Sequence, residues 1–587
     1  MQGQTCSKWR QNVVFGGMIF LVVVLGGRLW HMRVVYGQRA LEMAHRQQNH
    51  VIPIPARTGS IYAVAHNRPV LLAASKQAPT CFVDPSLVDD YDIADISENI
   101  GHLLGIDPMQ VHDAIIIRGD KRYAPIKKNP HREISSNQLT MLRALKNQAI
   151  GIEYHWVRGY PCGDLAGSVL GFRMRDGKPG GGLELSLDRY LEATNGKREL
   201  VVDAARRAVS IVPGKSVTPR DGNHVYLCLD AVIQGYLQEA LVQTVAKHGG
   251  FKTWATGVVI DPQTGRVLAM SSVPGFDPTA TNRSGIEATN RAVIMPFEPG
   301  SVVKPLFAAA AVSDGLVNWD TMIFCENGCY RPHRGGRITD HGQSYGMKSV
   351  TDGVVLSINT LMAKLGGKIG NRGLHGWVGK FGFGKKTGIR LPSEASGLIR
   401  PLARWDTYST PRVPFGQEMA VTSLQLAMAF GAVANDGLLL KPRLVESIVC
   451  PQGKVLYTAK TEVVNRVFTP KVSQQCRRVM QQVIERGTGK RCRMDKWTSF
   501  GKTGTAQIAG PNGMGYVDGA YTGSFVGGAP VDKPKLLCVI SVYWPNRSKG
   551  YYGGTVAAPY VKQVLEQSLT YMKIPPDKGV GIASVAD

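Results

Sequence analysis

The most apolar stretch of the chain lies close to its N-terminus. Residues 13–27 carry no charge and follow Lys8 and Arg10. A spanning helix needs roughly 20 apolar residues, and a signal peptide would be followed by a small-residue cleavage site, which does not follow here. We therefore predict that residues 12–35 form an uncleaved, single-pass anchor in the cytoplasmic membrane. Basic residues stay on the cytoplasmic side, which predicts a cytoplasmic tail over residues 1–11 and an exported remainder.

The hydrophobic pattern changes again near residue 224. Residues 36–223 mix short β-like runs with turns and end in a Pro/Gly-rich stretch that is typical of a linker. After it, Asp230 is placed to cap a helix that runs to about residue 246, and another helix is predicted over residues 559–572. Alternating apolar residues predict strands at 225–229, 255–260, 266–271, 521–527 and 536–543. Strands at both ends with helices between them predict an α+β fold, an antiparallel sheet covered by helices.

Charge and cysteine content add little to this picture. The formal net charge is +25, but no zinc-finger, aromatic RNA-binding or basic helical pattern accompanies it, so we predict no nucleic-acid partner. A basic exported domain beside an anionic membrane fits the charge. The ten cysteines are irregularly spaced and define no disulfide framework. Cys325 and Cys329, followed by His333 and His341, leave disulfide, free thiols and metal open, although zinc sites usually show tighter pairs.

Candidate chemistry begins at Ser301-Val-Val-Lys304. Pro299-Gly300 predicts a turn, and the Ala-rich residues 306–313 predict a helix that starts at Ser301. Residues three apart share a helix face, which brings the Lys304 amine within reach of the Ser301 hydroxyl. A buried lysine beside another cation can be neutral and act as the base that a serine nucleophile needs. Alone, this motif is usually a surface helix turn.

Two further motifs follow in the same region. Ser357-Ile-Asn359 lies between two apolar, helix-like stretches and, by itself, is typical of a helix cap. Lys502-Thr503-Gly504-Thr505 predicts an edge strand that carries a cation, with a glycine that lets a substrate backbone approach. The phosphate-binding pattern Gly-x4-Gly-Lys-Ser/Thr is absent around it. Together and in this order, the three motifs match those of penicillin-recognising acyl-serine enzymes.

The chain thus resembles the class B penicillin-binding proteins, from about residue 57 to 576. Beyond the three motifs, the resemblance includes Arg158-Gly-Tyr-Pro161 and Gly182-Leu-Glu184 in the first half. It is greatest to the division-type D,D-transpeptidases (FtsI group), through Arg337-Ile-Thr-Asp340, residues 421–427 and Tyr551-Tyr-Gly-Gly554. It implies an elongated, dimerisation-type pedestal domain over residues 36–223, a transpeptidase domain over residues 224–575 and a tail over residues 576–587.

Three departures from the family pattern stand out. The usual Arg-Gly-x-Ile-x-Asp is Arg57-Thr-Gly-Ser-Ile-Tyr-Ala63 here, without the acidic residue, which puts the local packing of the pedestal in question. Ser357-Ile-Asn359 replaces the common Ser-Ser-Asn, and a usual Gly-Gln-Gly reads Gly416-Gln-Glu418. None of these departures removes a catalytic side chain.

The resemblance also implies a mechanism. Ser301, deprotonated by Lys304, would attack a D-Ala carbonyl of a peptidoglycan stem peptide, Ser357 would relay a proton and Asn359 would hold the acyl amide. The substrate carboxylate would bind residues of the third motif, namely Lys502, Thr503, Gly504 and Thr505. No cofactor or metal is implied. β-Lactams would be inhibitors. A membrane glycosyltransferase and divisome proteins would be partners, and Arg28 in the anchor would contact a partner within the membrane.

Other functions remain open from the sequence. The elongation-type transpeptidases share the three motifs, and a D,D-carboxypeptidase or a β-lactamase would use water in place of the acceptor amine. From a different class, a β-lactam sensor would need a signalling domain, for which the predicted residues 1–11 leave no room. The pedestal and anchor favour the transpeptidase, placed on the inner membrane of a bacterium with its catalytic domain in the periplasm.

Overall fold

The computed structural model describes residues 3–39, 42–43, 49–119, 121–126, 134–174, 177–203, 208–212, 214–280, 288–332, 336–510 and 515–578. The chain divides into two compact units. The first comprises Met1–Arg57 and Ala193–Asp221, and the second comprises Thr58–Glu192 and Gly222–Asp587.

The first unit contains an apolar helix and a small sheet. The helix runs over Gly3–His31 and continues into a π-helical turn at Met32–Tyr36. Its segment Lys8–Arg39 has a mean hydropathy of 2.1 and is long enough to cross a membrane. Residues 8–39 are therefore a membrane anchor or a signal sequence. The strands Asn49–Ile54, Gly196–Val202 and Ala208–Ile211 form an antiparallel sheet in that order.

The second unit contains a seven-stranded sheet to which both halves of the chain contribute. Ile61–Ala65 pairs in parallel with His224–Asp230, and this pairing joins strands from before and after the Pro/Gly-rich stretch. Arg68–Val83 is the longest strand of this sheet; its first part pairs with Ile61–Ala65 and its second part, from Ala74, pairs with Ile150–Gly159. The remaining strands of this sheet are Ala124–Ile126, Val445–Val449 and Val455–Thr458.

Residues 58–192 hold helices that the sequence pattern did not predict. The first, Ile93–Leu104, buries Ile93, Ile96, Ile100 and Leu104, which lie on one face at the helical period. The prediction of short β-like runs with turns is therefore incomplete, because it does not include the helical period of the apolar residues in this segment. The helices of this segment are Ile93–Leu104, Pro108–Ile116, Ser136–Ala144, Gly167–Leu170, Gly182–Ser186 and Asp188–Leu191.

The two family-like motifs of the first half, Arg158–Pro161 and Gly182–Glu184, meet in a buried ion-pair network. Glu184 is fully buried, and its carboxylate oxygens accept hydrogen bonds from Arg158 Nε at 2.6 Å and from Arg173 Nε at 2.7 Å. Arg158 Nη1 also donates to Gly59 O at 2.7 Å. Ala63, which stands where the family pattern has an acidic residue, lies buried in the strand Ile61–Ala65.

The C-terminal half of the second unit is built on a five-stranded antiparallel sheet. Its strands, in spatial order, are Arg266–Val273, Trp254–Asp261, Leu536–Tyr543, Tyr516–Ala529 and Phe500–Ala509. Alternate residues of a strand point to opposite faces of the sheet, and both faces are covered by hydrophobic clusters. Leu537 and Val539 join one hydrophobic cluster, whereas Cys538 and Ile540 join the other. The α+β prediction, an antiparallel sheet covered by helices, is confirmed.

Helices pack on the two faces of this sheet. Ala231–His248 begins at Asp230, whose carboxylate accepts from the N–H groups of Val232 and Ile233 as predicted. The α-helices among the described residues 224–578, not all of which contact the sheet, are Ala231–His248, Arg291–Ile294, Lys304–Ser313, Val350–Val355, Asn359–Lys380, Ser409–Arg412, Ser423–Ala434, Pro470–Glu485, Gly553–Val556 and Ala558–Tyr571. Short strand pairs are Met322–Phe324 with Met347–Ser349, Cys329–Tyr330 with Ile338–Thr339, Leu398–Ile399 with Met419–Ala420, and Leu438–Leu440 with Val463–Arg466.

Candidate active site

Ser301 lies in a tight turn at the start of a buried helix. The 3₁₀ turn Gly300–Val303 leads directly into the helix Lys304–Ser313, as the sequence predicted. Gly300 has φ +58°, and a Cβ built there would lie 2.8 Å from Thr505 O. Only glycine combines that conformation with so close an approach. The turn therefore lies directly against the strand that carries the third motif.

Lys304 is fully buried and directed toward the second motif. Its Nζ donates to Ser357 O at 2.6 Å, to Ser357 Oγ at 3.2 Å and to Asn359 Oδ1 at 2.7 Å. Among the residues described, no hydrogen bond joins Lys304 to Ser301. The direct Ser301–Lys304 contact therefore stays a prediction, and catalytic hydrogen bonds often shorten only when substrate is bound.

Ser357 lies between two lysine amines. It occupies the turn between the helices Val350–Val355 and Asn359–Lys380, with φ +63°. A left-handed conformation is costly for a residue other than glycine and is often found at functional sites. Its Oγ lies 3.1 Å from Lys502 Nζ and 3.2 Å from Lys304 Nζ. The Ser357 hydroxyl thus connects the three motifs.

The third motif forms the predicted edge strand, Phe500–Ala509. Lys502 is fully buried, and its Nζ also donates to Thr503 O at 3.0 Å. The hydroxyls of Thr503 and Thr488 lie 2.7 Å apart. Thr505 Oγ1 accepts the N–H of Gly553 at 3.3 Å, which ties the strand to the Tyr551-Tyr-Gly-Gly554 segment.

Gly504 is closely packed against the turn of Ser301. A Cβ built on it would lie 2.4 Å from Ser524 Oγ, 2.8 Å from Pro299 O and 3.0 Å from Val302 Cβ. Pro299 and Val302 flank Ser301. The glycine therefore admits the turn that carries the nucleophile, and the close approach of substrate backbone stays a prediction.

Burial shifts the protonation of both lysines in the same direction. Loss of hydration lowers the pKa of Lys502 to about 7 and also holds the pKa of Lys304 well below its usual value. The positive charge of Lys502 lowers the pKa of Lys304 further, whereas the carboxylate of Asp340 opposes this. Burial thus favours the neutral form of both amines, and Lys304 is disfavoured as a cation by its neighbour as well.

Sequence reasoning gave no role to several residues that support the site. Asp340 contacts the start of the helix Asn359–Lys380. In the sequence it is indicated only by the family-like segment Arg337-Ile-Thr-Asp340, which assigns it no role. Thr488, flanked by two glycines, had no signal. Glu418, which replaces a usual glycine, has φ +63°, accepts from Ser409 Oγ at 2.8 Å and pairs with Arg400.

The cysteines show no pairing in the described part of the chain. Nine cysteines, all except Cys6, are free thiols there. No group of three His, Cys, Asp or Glu side chains with metal-binding geometry occurs among the described residues. Cys325 is buried and Cys329 half-buried, and His333 lies outside the described residues. Cys325 and Cys329 are thus free thiols in this structure, and a metal held together with His333 is not tested by the described residues.

Comparison with known proteins identifies both domains of the chain. A family model described as "Penicillin binding protein transpeptidase domain" matches residues 255–566, and a "Penicillin-binding Protein dimerisation domain" model matches residues 53–227. Penicillin-binding protein PbpB of Mycolicibacterium smegmatis is 34% identical over 448 residues, 73% of this chain and 67% of that protein. Stage V sporulation protein D of Bacillus subtilis is 28% identical over 96% of this chain and 86% of that protein.

A solved structure extends the comparison to the fold. Penicillin binding protein 3 of Mycobacterium tuberculosis, in complex with aztreonam, aligns with a TM-score of 0.68 and 26% identity over 90% of this chain and 98% of that chain. The chain belongs to the penicillin-binding protein family. With both the dimerisation and the transpeptidase domains, it is a class B penicillin-binding protein, a serine penicillin-binding transpeptidase.

Proposed function

We propose that the chain cross-links peptidoglycan stem peptides by acyl transfer through Ser301, in the septal wall of dividing cells. The enzyme is a peptidoglycan D,D-transpeptidase. The observation that carries the proposed chemistry is the Ser357 hydroxyl, held between the buried amines of Lys304 and Lys502 beside the turn of Ser301.

In the first half-reaction, Lys304 takes the proton of the Ser301 hydroxyl. The Ser301 oxygen attacks the carbonyl of the penultimate D-Ala, and the bond to the terminal D-Ala nitrogen breaks. The proton passes through Ser357 to the leaving amine. A neutral Lys304 is favoured by its burial and by the adjacent Lys502 charge. The products are an ester on Ser301 and free D-Ala.

In the second half-reaction, the amine of another stem peptide attacks the ester. A new amide bond forms, Ser301 leaves, and the proton of the amine returns to the serine oxygen. Backbone N–H groups of Ser301 and Thr505 would stabilise the oxyanion, each by roughly 3 kcal/mol. This assignment is supported by the close contact of the Gly300 turn with Thr505 O.

Lys502, with Thr503, Gly504 and Thr505, would bind the carboxylate of the substrate. Lys502 is the cation of the edge strand, and the Thr503 hydroxyl lies 3.3 Å from its Nζ. Asn359 would hold the acyl amide, since its Oδ1 contacts Lys304 and its Nδ2 carries a second hydrogen beyond the one given to Thr339 O. β-Lactams present the same carboxylate and carbonyl, and we expect them to acylate Ser301.

The apolar helix would hold the enzyme in the inner membrane as an uncleaved anchor, with the catalytic domain in the periplasm. The charge-free core and the lack of a small-residue cleavage site support this. The glycan strands that carry the donor stem peptides would come from a membrane glycosyltransferase that uses lipid-linked precursor and works with divisome proteins. Arg28, within the proposed span, is a candidate contact.

Labelling with a fluorescent penicillin tests the chemistry. We expect label on the wild type, none on Ser301→Ala and full label on Ser313→Ala, an exposed serine at the end of the same helix. An acceptor D-amino acid should speed release of a thioester substrate's acyl group into a new amide. Label that persists on Ser301→Ala would show that another residue is the nucleophile, and acyl release only to water would indicate a carboxypeptidase or β-lactamase.

The septal role rests on the resemblance carried by Arg337–Asp340, residues 421–427 and Tyr551–Gly554. Depletion in growing cells tests it. We expect filaments without septa and a fluorescent fusion at midcell. Rounded cells with label along the side wall would indicate the elongation role instead.

A further inference from the structure

The motif that ends at Asp340 reaches the active site through the start of a helix. Ile338–Thr339 is a two-residue strand paired with Cys329–Tyr330, and Asp340 follows it. Asp340 Oδ1 accepts the backbone N–H of Asn359 at 2.6 Å and of Thr360 at 2.9 Å. Its Oδ2 accepts the Thr360 hydroxyl at 2.7 Å. One carboxylate thus satisfies the first two N–H groups of the helix Asn359–Lys380.

This helix has no local cap. The residue before it is Ile358, whose side chain cannot accept a hydrogen bond. Asp340 supplies the missing acceptor from 19 residues earlier, and a negative charge at a helix N-terminus is also favoured by the helix dipole. The adjacent Thr339 O accepts Asn359 Nδ2 at 2.9 Å. Backbone and side chain of Asn359 are therefore both held by this one strand end.

The hold on Asn359 continues to the lysine. With Nδ2 engaged by Thr339, the Asn359 amide presents Oδ1 to Lys304 Nζ at 2.7 Å. A chain of contacts therefore runs from Asp340 through Asn359 to Lys304. Loss of the cap would release the start of the helix and, with it, an acceptor of the Lys304 amine.

Asp340 also acts on Lys304 by charge. Its carboxylate raises the pKa of Lys304, against burial and the charge of Lys502, which lower it. The titratable groups facing Asp340 from its other neighbours are Cys325 and Tyr345, whose pKa values are raised by burial and by this carboxylate. No ion pair of Asp340 occurs in the parts of the chain that are described, so its charge is not neutralised by a direct partner.

We propose that Asp340 is a positioning residue of the acyl-transfer site, which acts on Asn359 through its hydrogen bonds and on Lys304 through its charge. The proposal rests on the proposed function of Lys304 as the base for Ser301. It assigns a physical role to the Arg337–Asp340 motif, which lies outside the three motifs that carry the chemistry.

Two substitutions separate the two actions. Asp340→Asn keeps an oxygen for both N–H groups and removes the charge. Without that charge Lys304 loses its proton more readily, so the rising limb of acylation rate against pH should move to lower pH, with the plateau rate within a few-fold of wild type. Asp340→Ala also removes the cap, and a misplacement near 1 Å in an active site costs about 10²-fold in plateau rate.

The matched control is Asp314→Asn. Asp314 Oδ2 accepts Trp377 Nε1 at 2.8 Å and so holds the far part of the same helix. It should lower the melting temperature and leave the pH limb in place. The measurement is the second-order rate of acylation by fluorescent penicillin from pH 5 to pH 10, with melting curves for each variant.

The outcomes are distinct from those of the function test. A rising limb at the wild-type pH in Asp340→Asn would overturn the role of the charge, and an unchanged plateau in folded Asp340→Ala would overturn the role of the cap. If Asp340→Ala does not fold, its failure to fold supports the cap, and Asp340→Asn, which keeps the shape of the side chain, still decides the role of the charge. Label lost in Ser301→Ala together with no effect at Asp340 would refute this inference and leave the function standing.

Discussion

Replacement of Gly504 by alanine should damage both the fold and the reaction, although a methyl group is the smallest side chain. The new Cβ would lie 2.8 Å from Pro299 O and 3.0 Å from Val302 Cβ, whereas ordinary van der Waals contacts begin near 3.4 Å. Because Pro299 O is a backbone atom, the turn of Ser301 must move by about half an ångström. Overpacking of this kind costs roughly 1–3 kcal/mol of the free energy of unfolding.

The matched control is Gly367→Ala in the helix Asn359–Lys380, where a Cβ would meet nothing within 4 Å. Alanine there should stabilise the protein by roughly 0.5–1 kcal/mol. The assays are thermal melting and the rate of acylation by fluorescent penicillin. We expect Gly504→Ala to melt earlier and to acylate about 10²-fold more slowly, with Gly367→Ala unaffected in rate. If Gly504→Ala melts like the wild type, the glycine serves substrate and our interpretation of the close contact is wrong.

Two further predictions concern buried charges. Because the pKa of Lys502 is lowered to about 7, its ammonium group is lost above that pH; acylation by a carboxylate-bearing β-lactam should therefore fall above pH 7, and a rate that keeps rising to pH 9 would remove Lys502 from carboxylate binding. Glu184→Gln removes the buried carboxylate that Arg158 and Arg173 share, although Arg173 keeps its ion pair with Asp188, and this loss should cost roughly 3–5 kcal/mol in denaturant unfolding. The acylation rate of the folded protein should not change, and a lost rate at full stability would contradict the structural role of Glu184.

The sequence predicted the parts of the site that are local in the chain. The turn at Ser301, the Asp230 cap and the edge strand of Lys502 depend on neighbouring residues, whose patterns are readable. Contacts between distant segments were not readable. Asp340 caps a helix that starts 19 residues later, and no local pattern indicates which carboxylate will serve a helix that begins after Ile358.

Gly504 illustrates the same limit from the opposite side. A glycine in a strand indicates that something approaches closely, but the sequence does not say what. The partner proved to be the turn around Ser301, about two hundred residues earlier. The fold class could be predicted because the periodicity of strands and helices is local in the sequence. The helices of residues 93–144 were not predicted, because turn residues between them interrupt the helical period.

The parallel pairing of Ile61–Ala65 with His224–Asp230 has a practical consequence for anyone who wishes to divide this protein. The two strands lie inside one sheet, and one compact unit includes both. A fragment that started at residue 224 would lose a strand from the interior of that sheet and expose unpaired backbone groups along His224–Asp230. Exposed edges of this kind recruit other chains. Expression of the catalytic half alone should therefore yield aggregates, and a soluble fragment should retain residues 58–65, either in place or supplied as a separate strand.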